Sequence, residues 1–184
     1  LDASIYHLAG LVFGDFNGEM IRTLAKKAPV AVDVQAMLRH VNDDGSMFFA
    51  DWADKKECLP YIDFLKTDAA EAEIMTGCTD RKEAAKHLYS WAKEILITHN
   101  TEVLAYDGNE FHTCPIRARN LSGRTGRGDT TFAAYINERL SHSVPEALLT
   151  ATATVSLKME TPGPLKGNRA DIEKYIDEFY PDFK

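Results

Sequence analysis

Short apolar runs alternate with amphipathic helical patterns along the 184-residue chain, and this alternation limits its fold more than any other feature. Helices and strands separated at this spacing are typical of an α/β layered fold with a mainly parallel sheet flanked by helices. The apolar runs predict strands at 5–9, 30–34, 61–65 and 95–98, and a hairpin whose strands are 103–106 and 110–113. The helical patterns lie at 18–27, 69–75, 80–93, 129–140, 143–155 and 171–179.

Charge and composition exclude several classes of protein. The formal net charge of -7 argues against a nucleic-acid partner, which would need a basic surface to displace counterions from phosphates. No apolar run approaches the roughly 20 residues that cross a bilayer, so we expect no membrane span. The three cysteines form no CxxC pair, which argues against a disulfide framework or zinc site and favours a reducing, cytoplasmic location.

The stretch from Ser122 to Phe132 carries the most specific chemical signal. It contains Gly123, Gly126 and Gly128, followed by Asp129 at the start of a predicted helix. Glycines allow a tight turn whose N–H groups point at one spot, and a helix N-terminus favours an anion there. The alternative is a simple helix cap, because Asp is a favoured capping residue and glycines mark loops.

Two other phosphate-binding motifs do not fit this turn. A P-loop requires Gly-Lys-Ser/Thr after four spacer residues, and the chain has none. A dinucleotide-binding fingerprint requires G-x-G-x-x-G directly after a strand, whereas the order here is G-x-x-G-x-G after a polar segment.

Segment 125–132, Thr-Gly-Arg-Gly-Asp-Thr-Thr-Phe, resembles the second signature of the PfkB, or ribokinase-like, carbohydrate kinases, T-G-A-G-D-x-F. The resemblance implies an ATP-dependent kinase that transfers the γ-phosphate to a hydroxyl of a sugar, polyol or nucleoside. It makes Gly126, Arg127 and Gly128 the anion hole and Asp129 the catalytic base. The departure is Arg127, where a small residue is usual; its guanidinium would contact the phosphate or crowd the site.

A second segment, 64–77, resembles the N-x-x-E region that helps the family hold magnesium and phosphate. It places Asp68 at the usual Asn and Glu71 at the Glu, as candidate Mg²⁺ ligands, with Lys66 and Asp68 beside the ATP. Oxygen ligands with several retained waters suit Mg²⁺. The alternative is an acidic helix start that the helix dipole stabilises.

Further nucleotide contacts follow from the same resemblance. Thr98 matches the threonine of a T-x-G motif, although Asn100 replaces its glycine. Thr125 belongs to the glycine turn, and Gly163 lies in segment 157–164, which resembles the part that closes the nucleotide site. A helix exit followed by a Pro/Gly turn explains that last segment equally well.

Asp33, Gln35 and Arg39 follow the strand at 30–34 and are candidate substrate residues. Ligands of open α/β sheets bind at the carboxyl ends of strands, and some sugar kinases have a similar D-x-Q…R stretch. A solvated strand end is the alternative.

The family's N-terminal Gly-Gly-x-x-x-Asn sugar signature and β lid are not found in this sequence. The expectation is therefore one partial ribokinase-like domain over 1–184 without the N-terminal substrate and lid portion: either a fragment or a reduced relative that has lost transfer. A fragment would leave sheet edge and apolar surface uncovered, which favours a homodimer. The rival functions are a non-catalytic nucleotide-binding pseudokinase and an α/β scaffold without a ligand.

Overall fold

A computed structural model describes residues 2–183. The chain divides into two compact units, of which the first contains residues 2–97 and 106–111 and the second contains 98–105 and 112–183. The prediction that 1–184 is one partial domain stays a prediction. None of the helices within 2–183 is long and apolar enough to span a membrane.

The first unit is built around parallel strands. Its elements in chain order are β1 (Tyr6–Leu8), α1 (Gly18–Leu24), β2 (Val30–Asp33), α2 (Gln35–Leu38), β3 (Arg39–Val41), β4 (Met47–Phe49), α3 (Lys55–Cys58), β5 (Phe64–Asp68), α4 (Ala69–Thr76), α5 (Arg81–Tyr89) and β6 (Glu94–Thr98), whose last residue is the first of the second unit. Strands β1, β2, β5 and β6 lie in that order. The β1–β2 and β2–β5 pairs are parallel, which confirms the predicted α/β arrangement.

Burial explains why the central strands read as continuous apolar runs. All four residues of β2 and all five of β6 are buried, as expected for strands of a parallel sheet that is covered on both faces. In the β2–β5 pair, Asp33 lies opposite Lys66. The register therefore places a carboxylate beside an ammonium at the carboxyl end of β2.

Local signals set the helix boundaries closely. Asp80 accepts hydrogen bonds from the N–H groups of Lys82 and Glu83 and so caps α5. Helix α4 ends at Gly77, which adopts the left-handed conformation with φ of 73°. Helix α5 ends at Tyr89, four residues earlier than predicted.

Two expectations for the first unit were less accurate. The strand predicted at 61–65 begins at Phe64, because Leu59–Tyr61 forms a 3-10 turn around Pro60. The ribbon of β3 and β4 was not predicted; its antiparallel strands flank the expected turn at 43–46. Its strands are only three residues long, too short to show a clear alternation.

The second unit consists of a strand pair and three helices. Its elements are β7 (Glu102–Tyr106), β8 (Phe111–Pro115), α6 (Arg127–Glu138), α7 (Val144–Met159) and α8 (Arg169–Phe179); the strand ends Tyr106 and Phe111 belong to the first unit. Strands β7 and β8 are neighbours joined by four residues, as predicted for a hairpin, and so short a connection requires antiparallel strands. Helix α7 packs against both α6 and α8. The core of this unit lies along α7, where eleven of the sixteen residues are buried.

Candidate functional site

A buried charge cluster lies at the carboxyl ends of β2 and β5 in the first unit. It consists of Asp33, Lys66 and Glu71, each less than 5% exposed. Lys66 Nζ lies 2.9 Å from Asp33 Oδ2 and 3.9 Å from Glu71 Oε2. Because buried charges are costly unless paired, the three side chains stabilise one another. The structure thus brings together three residues that the sequence assigned to separate roles.

Asp68 and Glu71 form the start of α4. Asp68 Oδ1 accepts the Glu71 N–H at 2.8 Å, and Glu71 Oε2 accepts the Asp68 N–H at 2.7 Å, which is a reciprocal capping box. The proposed alternative, an acidic helix start, is therefore part of the structure. It leaves the Mg²⁺ hypothesis open, because the box uses one oxygen of each carboxylate.

Two pKa values in the buried charge cluster are displaced. Burial raises the pKa of Glu71 to about 7, although the Lys66 ammonium opposes the change. Burial acts to lower the pKa of Lys66, but the charges of Asp33 and Glu71 outweigh it and the pKa is raised. Lys66 is consequently a permanent cation near pH 7, whereas Glu71 titrates there.

The predicted substrate residues separate in the structure. Gln35 lies beside Asp33, since its N–H donates to Asp33 Oδ1 at 3.1 Å. Arg39 instead begins β3, where its guanidinium carbon lies 5.5 Å from the centre of the Phe49 ring. Asp33 and Gln35 thus form a group at the end of β2. Arg39 contacts this group through its backbone, since its N–H donates to Gln35 O, while its guanidinium lies against Phe49.

The glycine turn lies in the second unit and leads directly into α6. Gly126 is the residue that precedes the helix, and its φ of 77° is in the left-handed region that favours glycine. Arg127, Gly128 and Asp129 form the first helical turn, whose N–H groups have no acceptor within the helix. Asp129 is exposed. The turn therefore presents N–H groups and a carboxylate to the surface at one helix end.

Two arginines converge on the residue that replaces a family glycine. Arg127 Nη1 donates to Asn100 Oδ1 at 2.8 Å, and Arg124 Nη2 donates to the same oxygen at 3.4 Å. The two departures from the family pattern, Arg127 and Asn100, are thus in direct contact. Together they place two guanidinium groups beside the glycine turn.

The other predicted nucleotide residues lie in the second unit. Thr98 is buried at the end of β6, and Thr125 is exposed in the glycine turn. Gly163 has a φ of 88° and lies in the exposed segment after α7. Within residues 2–183, no hydrogen bond joins Gly163 to the glycine turn.

Sequence reasoning missed Lys158, which contacts the glycine turn from α7. Its side chain is buried, and its Nζ donates to the carbonyl oxygens of Gly123, at 2.6 Å, and Thr125. The available signal was periodicity: Lys158 follows Ala151 and Val155 at i+7 and i+3, on the apolar face of α7. A lysine at such a position needs a buried partner.

A cavity of about 390 Å³ also lies in the second unit. Its lining includes Glu160 and Tyr175, whose hydroxyl donates to Glu160 Oε1 at 2.7 Å. Arg119 binds the same carboxylate, with Nε 2.9 Å from Oε1. None of the residues assigned to a role from the sequence lines this cavity.

The chemistry of Asp68 and Glu71 suits a magnesium ion. Within 2–183, no group of three or more His, Cys, Asp and Glu side chains is arranged to hold a metal ion. Mg²⁺ keeps several waters and binds proteins through one or two carboxylates, so a pair of acidic residues is a sufficient donor set.

Comparison with known proteins identifies the family. The model of the pfkB family carbohydrate kinases matches residues 2–170, so the chain belongs to this family. A pyrophosphate-dependent kinase of the ribokinase family, solved with a pyrophosphate analog and myo-inositol, is 35% identical, with a TM-score of 0.87 over 95% of this chain. The ribokinase of Arabidopsis thaliana, solved with ribose and ATP, is 22% identical, with a TM-score of 0.74 over 95% of this chain. The predicted ribokinase-like fold is confirmed.

The chain is shorter than these relatives. It spans 64% of the pyrophosphate-dependent kinase and 56% of the Arabidopsis thaliana ribokinase. A cytidine kinase from Thermococcus kodakarensis is 33% identical over 85 residues, which are 44% of this chain and 31% of that protein.

Proposed function

We propose that the protein transfers a phosphoryl group to a hydroxyl of a sugar, polyol or nucleoside. The observation that carries the proposal is the position of Asp129, an exposed carboxylate in the first turn of α6 directly after the glycine turn. Family membership supports the same reaction class. Phosphoryl transfer requires mainly positioning and charge neutralisation, and a helix N-terminus beside a carboxylate supplies both.

In this reaction Asp129 acts as the base. Its carboxylate orients the acceptor hydroxyl and takes the proton as the hydroxyl oxygen bonds to phosphorus. The bond from phosphorus to the leaving phosphate oxygen breaks, and the N–H groups of the turn stabilise the negative charge. Asp68 and Glu71, in the first unit, are the proposed ligands of Mg²⁺, an ion that would supply neutralisation of phosphate charge.

The test is a coupled assay of phosphoryl transfer with Mg²⁺, run on the full-length protein against sugars, polyols and nucleosides. Asp129→Asn should reduce kcat by at least about 10²-fold while donor binding persists. Asp43→Asn, at an exposed position in the turn between β3 and β4, is the matched control and should retain activity. Full activity of Asp129→Asn would rule out its role as base.

The sequence resemblance makes ATP with Mg²⁺ the first candidate donor, and pyrophosphate is the second. Two features favour pyrophosphate: the relative at 35% identity is pyrophosphate-dependent, and Arg124 and Arg127 both bind Asn100 beside the glycine turn. Guanidinium groups are suited to bind phosphate oxygens in a bidentate manner, which a small, highly charged donor would exploit.

A donor comparison separates the two candidates. If pyrophosphate is the donor, Arg127→Ala should lower kcat/KM for pyrophosphate by about 10-fold or more. If ATP is the donor, pyrophosphate supports no turnover and Arg127→Ala has a smaller effect on transfer from ATP. Tight binding of either donor without transfer to any acceptor would instead support the non-catalytic pseudokinase.

Asp33 and Gln35 remain the proposed substrate residues at the end of β2, and Arg39 is the weaker candidate because it lies in the β3–β4 ribbon. Myo-inositol is the first acceptor to assay, because the 35% identical relative was solved with it. Lys66 already donates hydrogen bonds to both carboxylate oxygens of Asp33, which limits the hydrogen bonds that Asp33 can accept from substrate hydroxyls. We therefore expect Gln35→Ala to raise the acceptor KM more than it lowers kcat.

A further inference from the structure

Lys158 is a buried cation whose compensation is incomplete. Its side chain is 2% exposed, and its recorded partners within 2–183 are the carbonyl oxygens of Gly123 and Thr125. Lys66, which is also deeply buried, is instead paired with Asp33 and Glu71. Carbonyl dipoles satisfy the ammonium donors of Lys158, but they do not neutralise its charge.

The position of this charge is specific. Lys158 Nζ lies 4.0 Å from the point where a β-carbon on Gly126 would stand, so the ammonium is directly behind the residue that precedes α6. The helix end adds its own partial positive charge at the same place. Two sources of positive potential therefore converge on the glycine turn from the protein side.

Hydrogen bonds from the backbone and from Lys158 hold the glycine turn against the end of α7. Gly123 N–H donates to Met159 O at 2.7 Å, and Ser122 Oγ donates to Glu160 O at 2.7 Å. These bonds join the start of the turn to the end of α7. The Lys158 ammonium adds hydrogen bonds to the carbonyl oxygens of Gly123 and Thr125. The ammonium thus fixes the direction of two carbonyl groups of the turn, those of Gly123 and Thr125.

We propose that Lys158 is a positioning residue of the phosphate site: its ammonium holds the glycine turn in shape, and the bound phosphate anion balances its charge. This inference rests on the proposed phosphoryl transfer at the same turn. It goes beyond that function because Lys158 reaches the turn from α7 and acts through backbone carbonyls. The anion and the ammonium lie on opposite sides of one peptide segment.

The test uses variants of the full-length protein that separate charge from hydrogen bonding. Lys158→Gln removes the charge but keeps an N–H donor for the carbonyls, and Lys158→Met removes both at similar length. Lys26→Met, at an exposed lysine, is the control for loss of one positive charge. The readouts are pyrophosphate and ATP affinity by calorimetry, kcat and acceptor KM, and the thermal midpoint of each variant.

We expect Lys158→Gln to weaken binding of the active donor by about tenfold and to reduce kcat by about tenfold or more. The acceptor KM should change little, because the variant leaves the acceptor residues intact. Lys158→Met should show at least the same loss, and ammonium ions should restore part of its activity, because carbonyl oxygens vacated by the lysine form a ligand set for a small cation. Lys26→Met should resemble the wild type.

Opposing results are equally clear. If Lys158→Gln lowers the thermal midpoint but leaves donor affinity and kcat unchanged, the lysine is merely structural and the proposal is wrong. If Lys158→Met does not fold, Lys158→Gln and its binding isotherms decide. If the wild-type protein binds a donor but transfers no phosphoryl group, the proposed function is wrong. The role of Lys158 is then tested by comparing the donor affinity of Lys158→Gln with that of the wild type. If the wild type binds neither pyrophosphate nor ATP, both proposals are overturned.

Discussion

Glu71 should make the stability of the protein depend on pH in an unusual direction. Burial raises its pKa from 4.5 to about 7, with Lys66 opposing the change. Because one pKa unit corresponds to about 1.4 kcal/mol, this difference between the folded and unfolded states amounts to about 3 kcal/mol.

The sign follows from which state binds the proton. Between pH 4.5 and about 7 the folded protein holds a proton on Glu71 that the unfolded chain has released. The contribution of Glu71 is therefore full below about pH 4.5 and is lost as pH rises through about 7. An ordinary paired carboxylate behaves in the opposite way, since its folded pKa is lowered.

Urea unfolding at several values between about pH 5 and about pH 8, in EDTA, measures this contribution. The free energy of unfolding of the wild type should fall relative to that of Glu71→Gln by about 2–3 kcal/mol over the range. Glu73→Gln, an exposed position on the same helix, should follow the wild type. Parallel pH profiles for the wild type and Glu71→Gln would refute the assignment of a buried, titrating carboxyl.

Three further outcomes are expected. Asp33→Ala should lower the free energy of unfolding by about 3–5 kcal/mol, because Lys66 would stay buried with a weaker partner; a chemical denaturation curve measures this, and a loss below about 1 kcal/mol would contradict it. Gly123→Ala should cost about 3 kcal/mol or more in the same measurement, because a β-carbon there would collide with the Thr161 carbonyl oxygen; wild-type stability would show that the turn can move aside. Cys114 should resist alkylation at about pH 8 until the protein unfolds, because burial raises the pKa of its thiol to about 11; labelling in the native state, read by mass spectrometry, would contradict its burial.

The candidate site was partly predictable because some of its signals are local. The glycine turn, the start of α6 and the capping residues Asp68 and Asp80 depend on groups within a few positions of one another. Glycine is needed where φ is positive, and a carboxylate is needed where N–H groups lack acceptors. Such requirements act over one helical turn, so the order of residues reveals them.

The alternation of apolar runs and helical patterns determined the class of fold for the same reason. Strands such as β2 and β6 are buried along their whole length and therefore read as continuous apolar segments. The ribbon of β3 and β4 lacks this signal, since its residues are exposed or half-buried. The antiparallel pairing of β3 with β4 in the structure is what identifies the ribbon.

Only the tertiary structure decided which charged side chains are buried and what they contact. The register of β2 and β5 brings Lys66 into contact with Asp33, which lies 33 residues earlier in the sequence. Lys158 likewise contacts Gly123, which lies 35 residues earlier. The sequence offered Lys66 as a nucleotide contact and placed Lys158 on the apolar face of α7, but neither local pattern identified the partner that each lysine contacts. Burial is a property of the packed chain, and the free energy of a buried charge depends on partners that only folding brings within hydrogen-bonding distance.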